Sequence, residues 1–146
     1  MRSLLSIYLL LGCQMALAAG AVTEYQLENG LKLVVKEDHR APVVVSQVWY
    51  KVGSADEFGG ITGVSHVLEH MMFKGTEQHP GDTFNQIIAR NGAEDNAFTS
   101  RDYTAYYQKL EAGRLEISFK LEADRMRNLV FNKDDFDKEV SVVQEE

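Results

Sequence analysis

From Val22 to Lys36 apolar and polar residues alternate, with Tyr25 and Leu27 before Glu28-Asn29-Gly30 and Leu31, Leu33 and Val35 after it. Alternation at period two marks a strand with one face buried, and Asn-Gly between two such runs predicts a β-hairpin because both residues tolerate positive φ. A turn at Asp38 to Pro42 leads into Val43-Val44-Val45-Ser46-Gln47-Val48-Trp49-Tyr50-Lys51-Val52. This β-branched and aromatic run predicts a strand in the middle of a sheet, with Trp49 in the core. Gly53 to Gly63 then forms a loop with its flexible point at Gly59-Gly60.

The spacing changes after this loop. Val64 to Phe73 has the apolar content of a helix and no Pro, Thr62 or Gly63 can cap it, and Gly75-Thr76 ends it. Pro80-Gly81 forces a turn, and Asp82 or Thr83 caps a short helix with Phe84, Ile87 and Ile88 on one face, stopped at Asn91-Gly92. Residues Asn96 to Leu110 read as two extended segments, around Ala97-Phe98-Thr99 and Tyr103 to Tyr107, joined by a turn at Ser100-Arg101-Asp102. Two amphipathic helices follow, from about Arg114 to Asn128 and from about Lys133 to Glu146. Strands early and helices interspersed later predict an α+β fold with a mixed, mostly antiparallel sheet packed against helices. The helical pattern runs to Glu146 without a stop signal, so the chain reads as truncated.

Composition narrows the function. The 146 residues are 45% hydrophobic and 25% charged, in the range of globular proteins, and carry a net charge of −7. An acidic chain without clustered Lys and Arg lacks the footprint of a nucleic-acid binder, so no nucleic-acid partner is expected. The first residues have a separate logic. Arg2, an apolar run from Leu4 to Leu11 and small residues around Ala16-Leu17-Ala18 form a secretory signal peptide over residues 1–18, pointing to export to the periplasm or cell envelope of a bacterium. Leu10-Leu11-Gly12-Cys13 offers an alternative, a lipoprotein box with Cys13 as lipid anchor. With Cys13 removed, the remaining chain has no thiol, so disulfides contribute nothing and any metal site must use nitrogen and oxygen.

The chemistry concentrates in His66-Val67-Leu68-Glu69-His70. At about 100° per residue, His66 and His70 lie about 40° apart and Glu69 about 60° to the other side, so all three share one helical face. Two imidazoles one turn apart can bind one zinc ion, and the carboxylate between them can act as general base on a water that the metal activates. A catalytic zinc needs a third protein ligand. Glu139 and Glu146, two helical turns apart on a stripe flanked by Val142 and Val143, are inward carboxylates that need a partner or a metal. The plainer alternatives are a surface histidine pair and a solvated glutamate face. His39 and His79 fall in turn-like segments and are assigned surface positions without chemistry.

His66-x-x-Glu69-His70 is the inverted zinc motif of the inverzincins. With Phe73-Lys74-Gly75-Thr76-Glu77, Asn96-Ala97-Phe98-Thr99 and Glu139 seven residues before Glu146, the chain from about Val22 onward resembles the pitrilysin or insulysin (M16) family of zinc peptidases, which includes mitochondrial processing peptidase. The resemblance implies zinc ligation by His66, His70 and Glu146, with Glu69 as base and Glu139 orienting the site behind the ligands. It further implies that Asn96, Ala97, Phe98 and Thr99 form an edge strand pairing with an extended substrate, with Asn96 near the scissile peptide. The family fold is an α+β sandwich repeated within the molecule, its halves closing on the peptide like a clamshell. On this footing residues 19–146 are the incomplete N-terminal part of such a domain, inactive alone and completed by a homologous second half or subunit.

Two functions are therefore expected in competition. One is a zinc metalloendopeptidase acting on extended peptides or unfolded proteins. The other is a non-catalytic, peptide-binding or partner subunit of the same fold. The presence of His66, Glu69 and His70 together favours the enzyme.

Overall fold

The structure is a computed structural model that describes residues 20–146; the expected signal peptide and Cys13 lie outside them. It divides into two units, Met1–Ala41 and Pro42–Glu146. In the first, β1 (Val22–Gln26) and β2 (Lys32–Lys36) pair antiparallel, with Val22 opposite Lys36 and Gln26 opposite Lys32. The connection is longer than a two-residue turn. Gly30 takes a φ of 87°, Leu27 N–H donates to the Leu31 carbonyl at 2.9 Å, and Leu31 N–H donates to Asn29 Oδ1 at 3.1 Å. The Asn-Gly pair thus makes the hairpin, with the left-handed residue inside a five-residue loop.

The second unit is a three-stranded antiparallel sheet with helices on one face. Its strands are β3 (Val43–Tyr50), β4 (Glu94–Thr99) and β5 (Thr104–Glu111), in spatial order β3-β5-β4. Trp49, Ala105 and Phe98 line up across the sheet, as do Tyr50, Thr104 and Thr99. The α+β architecture expected from the pattern is present, but β5 and not β3 is the middle strand. The burial explains the difference. Along β3 exposed and half-buried residues alternate, as on a sheet edge with one wet face, whereas five of the eight residues of β5 are buried between its two neighbours and the helices. Trp49 falls on the outer face and is 51% exposed, so it is not core; its ring meets Tyr103 at 4.8 Å and Phe98 at 5.8 Å.

Four helices complete the unit: α1 (Val64–Met71), α2 (Thr83–Arg90), α3 (Leu115–Asn128) and α4 (Lys133–Glu145). None is long and apolar enough to cross a membrane. Phe84 and Ile88 of α2 pack with Leu121 of α3 in an apolar cluster, and Met71 of α1 is fully buried. The inner face of α3 is polar as well. Arg125, 2% exposed, pairs with Glu122, which also accepts from Gln108, whose amide oxygen accepts from Ser118 at 2.5 Å. The guanidinium is stacked among the rings of Phe73, Phe84 and Tyr106, at 5.1, 4.7 and 4.6 Å from their centroids.

A tight loop joins α1 to α2. Gly75 has a φ of 101°, and a Cβ there would lie 2.6 Å from the His79 carbonyl oxygen and the Gly81 nitrogen, so only glycine fits. Asp124 of α3 holds the loop, accepting from Thr76 Oγ1 at 2.5 Å and meeting His79 Nδ1 at 2.8 Å. Burial raises the Asp124 carboxyl, but hydrogen bonds from Thr76, Asn128 and His79 together outweigh it and hold the pKa below the usual range. His79 is therefore partnered with a buried carboxylate and is not a free surface residue.

Candidate metal centre

Helix α1 carries both histidines, and its start is fixed from a distance. Gly63 is its N-cap residue, with no side chain to meet the first amides. The Glu57 carboxylate supplies the acceptor instead, accepting from Ser65 N–H at 2.9 Å and Gly63 N–H at 2.8 Å. Those backbone amides, Ser65 first, hold the Glu57 pKa low. The helix runs to Met71, two residues short of the predicted end, because Phe73 and Lys74 turn back toward His70 and Met71.

His66 and His70, both half-buried, lie one turn apart on the side of α1 that meets α4, with Nε2 atoms 3.2 Å apart. Helix α4 brings Glu146 Oε2 to 3.3 Å from His66 Nε2 and 3.8 Å from His70 Nε2. Four ligands held at about 2.05 Å by a tetrahedral zinc sit about 3.3 Å from one another, so the three atoms have the spacing of three corners of such a shell. The donor set, two imidazoles and one carboxylate, also suits zinc.

Behind this triangle, His70 Nδ1 meets Glu139 Oε2 at 2.8 Å, and Lys74 Nζ meets the other oxygen of Glu139. A proton on Nδ1 donated to Glu139 leaves the Nε2 lone pair of His70 directed at the other two ligand atoms. Lys74 does most to hold the Glu139 pKa low, against its burial, with His70 adding to the effect. The inward face of α4 is Asp135, Glu139, Val140 and Val143; Glu146, expected to point inward, has a side chain 51% exposed at the end of the helix, and Val142, expected to flank the glutamates, is 41% exposed.

Glu69, 8% exposed, points toward the sheet end, where its Oε2 accepts from Thr99 Oγ1 at 2.5 Å. Of the four β4 residues expected to contact substrate, Ala97 and Thr99 face the helices, while Asn96 and Phe98 lie on the outer face beside Trp49. Asn96 Oδ1 accepts from Ala97 N–H at 2.8 Å, so its side chain turns to its own strand and away from the face that holds Glu69. As expected, β4 is a sheet edge. Sequence reasoning missed Glu57, Lys74 as the partner of Glu139, and the Thr99 hydroxyl.

Paired histidines and a glutamate from two helices, with an acidic residue behind one imidazole, are a donor set that could hold a metal ion. Comparison with known proteins agrees. The model of the family described as Insulinase (Peptidase family M16) matches residues 32–146, and the chain belongs to that family. Among its relatives, zinc protease PqqE of Helicobacter pylori is 40% identical over 121 residues, 82% of this chain and 27% of that protein. Subunit 1 of the mitochondrial cytochrome b-c1 complex of Bos taurus is 34% identical over 121 residues, 83% of this chain and 25% of that protein. Among solved structures, a protease from Helicobacter pylori superposes with a TM-score of 0.81 at 36% identity, covering 86% of this chain and 30% of that one. The periplasmic protease PqqL from Escherichia coli gives 0.79 at 29% identity, covering 85% of this chain and 15% of its own. The chain spans about a quarter of the length of these two curated relatives.

Proposed function

We propose that the protein to which this chain belongs is a zinc-dependent metalloendopeptidase that hydrolyses extended or unfolded peptides. The observation that carries this reading is the triangle of His66 Nε2, His70 Nε2 and Glu146 Oε2, with edges of 3.2, 3.3 and 3.8 Å. A zinc ion bound there would supply Lewis-acid polarisation of a water and of the scissile carbonyl. Glu69 takes a proton from the attacking water as its oxygen bonds to the carbonyl carbon, and gives it to the leaving nitrogen as the C–N bond breaks. Glu139 keeps the His70 proton on Nδ1, and Lys74 keeps Glu139 ionised. The open edge of β4 receives the substrate backbone, consistent with strand addition. Residues 19–146 are then the N-terminal part of the peptidase domain, and a homologous second half completes the site, as suggested by the small share of each relative that the chain spans. The signal-peptide pattern and the periplasmic PqqL neighbour support export.

The cytochrome b-c1 relative motivates a second reading, a non-catalytic partner subunit. The full-length protein separates them. About one zinc per chain, and a Glu69→Gln variant that keeps the zinc but loses at least about 100-fold in turnover of an unstructured peptide, is the expected result. Protein that purifies without zinc and ignores chelator supports the partner subunit instead.

A further inference from the structure

Glu69 has two carboxylate oxygens and is asked to present one of them to water. The strand end opposite it decides which. Thr99 Oγ1 lies 2.5 Å from Oε2, and no protein donor among the described residues meets Oε1. The Thr99 hydroxyl has one proton to give. Its other near neighbour, Thr104 Oγ1, is 3.4 Å away and donates its own proton to the Val52 carbonyl at 3.0 Å. Thr104 Oγ1 can then only accept from Thr99, and the Glu69 carboxylate at 2.5 Å is the nearer and stronger acceptor, so the Thr99 proton goes to Glu69.

The backbone that carries Thr99 is held in place. Thr99 pairs with Thr104 at the last register position of β4 and β5. In the turn that follows, Ser100 N–H donates to the Tyr103 carbonyl at 2.8 Å. On the other side, Ser54 N–H and Ala55 N–H donate to the Ser100 and Arg101 carbonyls at 3.1 and 2.8 Å. This approach depends on Gly53, where a Cβ would stand 2.3 Å from the Ser100 oxygen.

From this geometry we propose that Thr99 is a positioning residue: its hydroxyl occupies Oε2 of Glu69 and leaves Oε1 as the oxygen that takes the proton. This rests on Glu69 being the base and goes beyond it. The same strand then has two tasks, its edge for substrate and the last side chain on its helix side for the base. Without the hydroxyl, the Glu69 carboxylate is free to rotate, and the fraction of time it spends aligned with the water falls.

The test is a mutant cycle on full-length, zinc-loaded protein, read with a library of quenched unstructured peptides. Thr99→Val, close to Thr in shape, is expected to lower kcat by about 10- to 100-fold with KM within about 3-fold, and Thr99→Ser to recover most of that loss. In a Glu69→Gln background Thr99→Val should add less than about 2-fold, because the two residues act as a unit. Two measurements stand apart from activity. Zinc affinity by chelator competition should be unchanged in Thr99→Val, and a crystal structure of that variant without metal should show the Glu69 carboxylate turned away from its wild-type rotamer. Full additivity in the cycle, a raised KM with normal kcat, or an unmoved Glu69 overturns the proposal. Undiminished turnover by Glu69→Gln alone instead overturns the assignment of the base, so the two failures are distinguishable.

Discussion

Two clusters of buried or half-buried charge lie within the second unit, and they close in opposite ways. Around Arg125 most donors meet acceptors: the guanidinium faces Glu122, Glu122 faces Gln108, Gln108 faces Ser118, and three aromatic rings surround the guanidinium, whose Nη1 is buried without a hydrogen-bond partner among the described residues. Around His66, three atoms able to ligate a metal meet. Two imidazole nitrogens and a carboxylate oxygen converge from α1 and α4, and their spacing makes sense once a cation sits among them. Buried charge alone therefore does not mark a functional site. The mark is a set of side-chain atoms able to ligate a metal, brought together from two helices.

The largest expected effect is on the self-contained cluster. Arg125→Ala leaves Glu122 buried without its cation and empties the space among Phe73, Phe84 and Tyr106, so unfolding in urea should show a loss of about 3–5 kcal/mol. An unchanged midpoint would mean that the cluster stabilises nothing. Next comes the open cluster, where Glu139→Gln removes the charge behind His70. Zinc affinity measured by chelator competition should fall about 10- to 100-fold, with a smaller change in folding than Arg125→Ala produces. Equal effects of the two variants on stability and on zinc would erase the distinction.

The smallest effect concerns Glu57. Loss of its cap on α1 in Glu57→Ala should destabilise by about 1 kcal/mol. Its pKa is lowered in the folded protein, so this stabilisation is present above the pKa of an unfolded glutamate and is lost as pH falls through the folded value. The gap between wild type and Glu57→Ala should accordingly be full near neutrality and shrink in acid. A gap that grows in acid would contradict the cap.

Much of this contrast was legible in the sequence, and the failures share a cause. The i, i+4 histidines, the glutamate between them and the two glutamates of α4 seven residues apart follow from helical period, and the structure brings His66, His70, Glu139 and Glu146 together as that period predicts. Local turn chemistry likewise predicted the hairpin and the stop at Asn91-Gly92. Strand order was not legible. Val43 to Tyr50 is more apolar than Thr104 to Glu111, yet the latter is central, because its polar Gln108 and Thr104 find partners on α3 and on Val52. Nor was Glu57 as a cap six to eight residues upstream, or His79 on Asp124 forty-five residues away. A periodic pattern reports which face is buried, but not which distant polar atom waits there.

The loop from Lys74 to Gly81 gives the candidate metal centre an unexpected anchor. Lys74 at its start grips the carboxylate behind His70, while Thr76 and His79 fasten the same few residues to Asp124. The imidazole is thereby tethered, through four side chains and one glycine bend, to a helix that contributes no ligand. Firmness at the reacting end of the molecule is borrowed from its far layer, and evolution or an engineer could tune the grip on the ion by altering Asp124 while leaving every coordinating atom in place.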